Sequence, residues 1–308
     1  MNGMSDGTIS ETGVMTRRGL LAVALGMTSM SKAQDEVLKV PLKGRIQQVI
    51  AAWPFAKGAG WTPEELVKQA LAFGVSGVEL LPVENWGLLK DTGLVCAATK
   101  SHSFERGMNN QGHHAECFAA LENAIEATSA AGFPNVMTFT GMADTSDHEN
   151  GSVVDADEGM KNCIEGYKKM ALLAEKKKVT MVIEPLNSRV GEMMMGHPGY
   201  QGDRIDDCVE IVKAVGSPGL KVLFDAYHVQ IMDGDLIRRI EQHAEFIGHV
   251  QIAGNPGRGE IGDDQEINYR GVMKALLKVG YEGYVGHEWI PKGDAVEGLR
   301  EAIGICDV

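Results

Sequence analysis

Short apolar runs alternate with longer amphipathic stretches along most of this sequence, and this alternation constrains the fold more than any other feature. Eight of the runs after residue 44 are rich in β-branched residues and have the length of buried strands. They span residues 46–52, 77–81, 94–98, 135–140, 180–184, 221–225, 246–252 and 283–288. A repeated strand-then-helix pattern of this kind is typical of a parallel α/β sheet.

The stretches between the runs carry helix signals. Thr62-Pro63-Glu64-Glu65 is typical of an N-cap followed by proline at the first helical position. Further helices are predicted over residues 112–131, 155–178, 205–215, 235–243, 269–279 and 295–303. Eight strand-and-helix units without a break in composition predict one closed (β/α)8 TIM barrel. An open doubly wound sheet is the alternative, but the first connection, Trp53-Pro54-Phe55, lacks a glycine-rich nucleotide-binding loop.

Polar residues end the last four predicted strands. The working residues of a barrel lie at the C-terminal ends of its strands, so we expect Glu184, Asp225, Gln251 and Glu288 at one rim. Three carboxylates would repel one another there unless a cation neutralised them. With the amide oxygen of Gln251 the ligands are all oxygen, which suits Mg²⁺ or Mn²⁺ better than zinc.

The same segments resemble a known family. The stretch His249-Val250-Gln251-Ile252-Ala253-Gly254, followed by Arg258 and Glu260, is similar to that of hydroxypyruvate isomerases in the xylose-isomerase-like barrel superfamily. The segments 183–187, 224–230 and 283–293 resemble the fifth, sixth and eighth strands of that family. The resemblance covers roughly residues 45–305 and is sharpest from Glu184 onward.

This resemblance implies a role for each matching residue. Glu184, Asp225, Gln251 and Glu288 match the metal ligands of the family, and Glu184 with Glu288 match the two carboxylates that move the substrate proton. His228 and Arg258 match positions that hold substrate oxygens, and Glu260 lies in the same loop as Arg258. The family often has Arg-His-Glu-Pro where this chain has Arg258-Gly259-Glu260-Ile261, a difference that concerns the shape of the substrate more than the metal chemistry.

The expected activity is the interconversion of hydroxypyruvate and tartronate semialdehyde through an enediolate. A carbon next to a carbonyl is too weak an acid for a free carboxylate at neutral pH, and a divalent metal chelated by the substrate oxygens lowers that barrier. One glutamate then acts as the base, and the second returns the proton to the adjacent carbon. The guanidinium of Arg258 fits a substrate carboxylate.

Other assignments stay open at the level of sequence. A ketose 3-epimerase or another keto-sugar isomerase would use the same metal and glutamates. His228 fits three roles, namely a second metal ligand, a substrate hydrogen-bond donor or a packed core histidine. An apurinic endonuclease shares the barrel and the spacing of Asp225 and His228, but no Asp-x-His follows Gln251 as in that family. A non-catalytic binding barrel would not need Glu184 and Glu288.

The N-terminus carries a pattern of its own. Thr16-Arg17-Arg18-Gly19-Leu20-Leu21, a short apolar run and Ser31-Lys32-Ala33 resemble a twin-arginine signal peptide over residues 1–33, with the barrel domain over residues 34–308. The apolar run is far shorter than the ~20 residues that span a bilayer. The pattern predicts the twin-arginine export machinery as a partner and a periplasmic or exported location, with a cytoplasmic location as the alternative.

Charge narrows the range of further partners. The sequence has 29 Lys and Arg against 42 Asp and Glu, a net charge of −13 that would repel a nucleic-acid backbone. The five cysteines are scattered without a metal-binding spacing. We therefore expect a small keto acid or sugar as substrate, with no nucleic acid and no membrane contact after removal of the signal. A homo-oligomer is left open.

Overall fold

The computed structural model describes residues 42–192 and 194–308, so the predicted signal peptide lies outside the described residues. Nine strand segments occur in this part of the chain: β1 (Gln47–Ala51), β2 (Gly77–Glu79), β3 (Val95–Cys96), β4 (Ala98–Thr99), β5 (Asn135–Thr138), β6 (Thr180–Ile183), β7 (Leu220–Asp225), β8 (Ile247–Ile252) and β9 (Tyr284–His287). Its α-helices are α1 (Ala52–Ala59), α2 (Pro63–Phe73), α3 (His114–Ala131), α4 (Ala156–Lys177), α5 (Ile205–Val215), α6 (Ala226–Met232), α7 (Leu236–His243), α8 (Tyr269–Lys278) and α9 (Ala295–Cys306). Short 3₁₀ helices cover Val83–Leu89, Gln111–His113 and Ala244–Phe246.

The strands form one parallel sheet in the order β3-β2-β1-β9-β8-β7-β6-β5-β4. The two end segments, β3 and β4, are separated only by Ala97 and together make the third strand of a barrel, because β3 pairs with β2 and β4 pairs with β5. The N–H of Ala97 donates to the carbonyl of Val78 at 2.8 Å, and its carbonyl accepts from the Asn135 side chain at 2.9 Å. The predicted (β/α)8 barrel is therefore confirmed, with its third strand in two pieces.

Two helices were not expected from the sequence. Helix α1 begins directly after β1 and includes residues 53–55, which were predicted only as the first connection between a strand and a helix. Pro54 lies in its first turn, where a backbone N–H is not needed for the helix. Helix α6 follows β7 without a loop, and the carboxylate of Asp225 accepts the backbone N–H of Tyr227 at 2.8 Å as its N-cap. The cap fixes one oxygen of Asp225 and leaves the other to point elsewhere.

The strands are buried along nearly their whole length, as expected for a parallel sheet covered by helices. Buried charged or amide side chains such as Glu79, Asp225 and Gln251 lie near the C-terminal ends of the strands. In the described part of the chain, no helix combines the length and the apolar character needed to cross a membrane. Glu79, Asp225 and Gln251 thus lie at the same end of the barrel.

A tyrosine on α8 fixes the end of β8, the strand that carries Gln251. The hydroxyl of Tyr269 donates to the carbonyl of Ala253 at 2.5 Å and accepts the N–H of the same residue at 3.1 Å. We predict that Tyr269→Phe lowers the free energy of unfolding by about 1–3 kcal/mol, because two buried backbone groups lose their partner. Urea unfolding of the purified variant measures this difference.

The matched control is Tyr284→Phe, since the Tyr284 hydroxyl makes no hydrogen bond within the described residues. We expect this control to stay within about 0.5 kcal/mol of the wild type. Equal stabilities of the two variants would show that the Tyr269 hydroxyl does not hold the strand end.

Candidate active site

The structure brings together the side chains predicted to hold a metal: Glu184, Asp225, Gln251 and Glu288. Each is at most 3% exposed. Asp225 and Gln251 are register partners on β7 and β8, and Gln251 is in turn the partner of Gly286, two residues before Glu288. The parallel register of neighbouring strands therefore puts these groups side by side.

Several polar atoms in this cluster are buried without a hydrogen-bond partner. They are Oε1 of Glu184, Oδ2 of Asp225, Oε1 of Gln251 and Nε2 of His228. Ligand atoms of Glu184, Asp225 and His228 lie within 4.8 Å of one another. Leaving such a group unpaired costs about 1–3 kcal/mol, so these atoms are suited to binding a ligand. Because three of the four atoms are oxygens from carboxylate or amide groups, a hard divalent cation fits the site.

The proton position on His228 separates two of the three roles left open by the sequence, the metal ligand and the hydrogen-bond donor. The backbone N–H and the side-chain amide of Asn187 both approach Nδ1 of His228, at 3.0 and 2.7 Å. A backbone N–H can only donate, so Nδ1 must accept. Burial, followed by the charge of Arg258, holds the pKa of His228 well below its ordinary value, so the ring is neutral. Its one proton is then on Nε2, which favours a hydrogen-bond donor over a metal ligand.

Arg258 connects the carboxylates. Its Nη2 donates to Glu288 at 2.5 Å and lies 3.6 Å from Asp225, and its Nη1 donates to the carbonyl of Met194 at 2.8 Å. The guanidinium also lies 5.0 Å from the ring centre of Trp53, whose indole N–H donates to Glu288 at 2.8 Å. Both oxygens of Glu288 therefore have partners, although a carboxylate oxygen retains a further lone pair for a ligand.

Burial raises the pKa values of the clustered carboxyl groups. For Glu184 the pKa lies well above its usual value, and the charges of Glu288 and Asp225 raise it further. Burial also raises the pKa of Glu288 to about 7, against the opposing effect of Arg258. The pKa of Asp225 is raised by burial as well, with Arg258 and backbone hydrogen bonds opposing the increase. The cluster thus holds groups that can exchange protons near neutral pH.

A cavity of about 350 Å³ opens above the cluster. Glu184, Glu288 and Arg258 contribute polar groups to its lining. One wall is apolar and is formed by Leu80, Phe104, Met137, Phe139 and Leu186. The volume falls within the range of about 300–1,000 Å³ that is usual for small-molecule sites. The two glutamates predicted to move a proton are therefore accessible to a bound molecule.

Glu260 is the one predicted site residue that lies neither in the cluster nor at the cavity, whereas Asp225, Gln251 and His228 lie in the cluster without lining the cavity. Its carboxylate accepts the backbone N–H groups of Lys292 and Gly293 at 2.7 and 3.0 Å. It lines a separate cleft in the 256–301 region. In this structure Glu260 therefore holds the loop after β9 and does not face the group formed by Glu184 and Glu288.

The sequence analysis missed several residues of the site. Glu79 is fully buried at the end of β2, and its carboxylate accepts from Gln251 and pairs with His249. It ends β2 in the structure, but the predicted strand extended to residue 81, so the strand-end rule did not select it. Trp53 lies in a helix that was not expected, and Asn187 is recognised only through its contact with a histidine 41 residues away. These two gave no local signal.

Comparison with known proteins places the chain among relatives of one barrel type. Residues 67–306 match the family described as "Xylose isomerase-like TIM barrel". The chain is 41% identical to the 2-oxo-tetronate isomerase of Cupriavidus necator over 121 residues, which cover 39% of this chain and 44% of that protein. It is 35% identical to the hydroxypyruvate isomerase of Escherichia coli over 137 residues, which cover 44% of this chain and 50% of that protein.

Among solved structures, the fold is similar to "AP endonuclease, family 2" from Brucella melitensis. The TM-score is 0.70 at 29% identity, covering 82% of this chain and 97% of that chain. The family match extends over most of the barrel, from α2 to the last helix. The chain therefore belongs to the xylose isomerase-like TIM barrel family.

Proposed function

We propose that the protein is a divalent-metal-dependent isomerase that interconverts hydroxypyruvate and tartronate semialdehyde. The observation that carries this proposal is the group of buried, unpartnered oxygens next to two glutamates that line the cavity. The relatives named hydroxypyruvate isomerase and 2-oxo-tetronate isomerase support an isomerase acting on a keto acid.

Mg²⁺ or Mn²⁺ fits the proposed site. Glu184, Asp225 and Gln251 would hold it through their free oxygens, with Glu288 as the fourth ligand. A bound cation of this kind polarises substrate oxygens and stabilises the negative charge that develops when a proton leaves the neighbouring carbon. Within the described residues, one group of acidic and histidine side chains is close enough to hold a metal ion, namely Glu184, Asp225 and His228, and the proton on Nε2 of His228 leaves the two carboxylates of this group as ligands. This favours an isomerase over an endonuclease with three metals.

Glu184 and Glu288 are suited to moving the substrate proton. Both line the cavity and are buried, so their raised pKa values make each carboxylate a stronger base than one in water. A pKa of about 7 for Glu288 allows it to accept and return a proton at neutral pH. One glutamate would remove the proton from the hydroxylated carbon, and the other would deliver a proton to the adjacent carbon.

Arg258 and His228 would bind the oxygens of the substrate. The guanidinium of Arg258 is at the cavity and contacts Glu288, so it could exchange that contact for a substrate carboxylate. This exchange would free an oxygen of Glu288 at the moment when the substrate is bound. The Nε2–H of His228 has no hydrogen-bond partner, but His228 lies in the cluster and does not line the cavity, so it would donate only to a substrate oxygen that reaches into the cluster.

The cavity favours a second candidate, a larger sugar or sugar acid handled by the same groups. A three-carbon acid would fill only part of the cavity of about 350 Å³. Lys100 at the rim has no partner among the described residues and could bind a distant polar group of a longer substrate. A ketose 3-epimerase or a keto-sugar isomerase would use the same proton transfer.

We further propose that residues 1–33 act as a twin-arginine signal and that the barrel works outside the cytoplasm. The support is the sequence pattern of Arg17 and Arg18 before a short apolar run. An exported enzyme would meet external sugars and sugar acids, which agrees with the larger-substrate candidate.

The proposed reaction predicts proton exchange with the solvent. We expect the Mn²⁺-loaded protein to convert hydroxypyruvate to tartronate semialdehyde in deuterated water, with deuterium entering the product through Glu184 and Glu288. Glu288→Gln should lose about 10²- to 10⁴-fold in rate because its side chain cannot carry the proton. NMR follows both the product and the exchange.

The control is Glu241→Gln, a surface glutamate paired with Lys278, which should keep wild-type activity. Turnover of a ketose panel without turnover of hydroxypyruvate would replace the first candidate by the second. Full activity of Glu288→Gln would contradict the proton role in both.

The raised pKa of Glu288 predicts a pH-dependent stability of the metal-free protein. The folded state keeps the proton up to about pH 7, whereas the unfolded chain loses it near the ordinary glutamate pKa of 4.5. Stability should therefore fall as the pH rises from about 5 to 8, by about 3 kcal/mol from this group. Urea unfolding in EDTA at several pH values measures the slope.

Glu288→Gln lacks the titrating group and should show a smaller loss of stability over the same pH range. Identical slopes for the wild type and this variant would contradict the raised pKa of Glu288. Adding Mn²⁺ should restore wild-type stability more at pH 8 than at pH 5.5, because the cation binds the ionised carboxylates.

A further inference from the structure

Glu79 is a fully buried carboxyl group that the proposed reaction does not use. It is the last residue of β2. Strands β1 and β9 lie between β2 and β8, the strand that carries Gln251. It does not line the cavity, so a substrate bound there would not reach it. A buried carboxyl group is expensive to maintain unless its hydrogen bonds serve the structure or the site.

One oxygen of Glu79 determines how the amide of Gln251 is turned. The Nε2 of Gln251 lies 2.8 Å from Oε1 of Glu79, and an amide nitrogen can only donate. The amide oxygen of Gln251 must then point to the opposite side, and it is among the unpartnered buried oxygens of the cluster. The two ends of an amide have nearly the same shape, so packing alone would not choose between them.

The position of Glu79 is itself fixed from two further sides. Its second oxygen lies 2.5 Å from Nε2 of His249, which is two residues before Gln251 on β8. A Cβ atom at Gly286 would lie 2.3 Å from Oε1 of Glu79, so the glycine on β9 leaves the space that the carboxylate fills. Glu79 is therefore held against β8 and β9 at the level of the cluster.

We propose that Glu79 is a positioning residue that turns the amide of Gln251 so that its oxygen faces the divalent cation. The inference rests on the cation site of the proposed function. Without the acceptor, the amide could present its NH₂ group, which has no lone pair for a metal and carries a partial positive charge. The carboxylate thus acts through Gln251 and touches neither the cation nor the substrate.

A pair of nearly isosteric substitutions separates this role from simple packing. In Glu79→Gln, the new amide can keep its oxygen toward the Nε2–H of His249, and its NH₂ then faces Gln251. Gln251 must turn its own oxygen toward that NH₂ and its nitrogen toward the cation. In the double variant Glu79→Gln with Gln251→Glu, the new NH₂ donates to the new carboxylate, whose other oxygen faces the cation. The total charge of the cluster is unchanged by this exchange.

Binding of Mn²⁺ to the full-length chain tests the inference without using activity. The EPR signal of the free aqua ion gives the bound fraction, and thermal unfolding of the metal-free proteins reports whether each variant folds. We expect Glu79→Gln to weaken Mn²⁺ binding by about 10- to 100-fold, as for other residues that orient metal ligands. The double variant should recover binding to within about fivefold of the wild type.

The control is Thr128→Val. This substitution removes a buried hydrogen bond of 2.7 Å between the hydroxyls of Thr128 and Thr99, which do not belong to the cluster. It should lower stability but leave Mn²⁺ binding within about twofold of the wild type. Wild-type binding by Glu79→Gln, or a double variant as weak as the single one, would overturn the inference. If the single variant does not fold, a double variant that folds but binds weakly also overturns it.

Mn²⁺ binding by the wild type distinguishes failure of the proposed cation site from failure of the role of Glu79. If the wild type does not bind Mn²⁺, the proposed cation site fails, and the role of Glu79 fails with it. If the wild type binds Mn²⁺ and Glu79→Gln binds equally well, only the role of Glu79 fails.

Discussion

Four carboxyl groups meet at the buried end of this barrel, and their mutual repulsion is the constraint on which the rest of the site depends. They are Glu79, Glu184, Asp225 and Glu288, all at most 3% exposed. Arg258 offsets part of the charge, in a left-handed backbone conformation with a φ of 50° that costs of order 1–3 kcal/mol. One guanidinium cannot balance four carboxylates, so a cation fits. Burial, with a further contribution from the neighbouring carboxylates, raises the pKa values of Glu184 and Glu288.

The polar side chains of the cluster share one arrangement. In each of them, one polar atom is held by a hydrogen bond and another has no partner. One oxygen of Asp225 caps α6 and the other has no partner. The amide nitrogen of Gln251 is held by Glu79, and its oxygen is free. Asn187 fixes Nδ1 of His228 and leaves Nε2 free. Each residue is thus oriented before any ligand binds, which lowers the cost of binding one.

The sequence was sufficient to predict the barrel, and it placed several polar residues at one rim, because both follow from periodic patterns. Polar residues that end apolar runs, such as Asp225 and Gln251, must meet once the parallel strands are aligned. The orientation of these side chains could not be predicted, since it depends on contacts between residues far apart, such as Glu79 with Gln251, 172 positions later. Glu260 shares a loop with Arg258, but its hydrogen bonds to the loop after β9 give it a different position.

The central claim is that the free oxygens of the cluster bind a divalent cation. The most direct test is a crystal structure of the protein grown with Mn²⁺, with the ion located by its anomalous scattering. We expect one strong peak bound by Oε1 of Glu184, Oδ2 of Asp225, Oε1 of Gln251 and the carboxylate of Glu288, with Nε2 of His228 outside the coordination shell. A site without a peak, or a cation bound directly by His228 with the nitrogen of Gln251 facing it, would contradict the account.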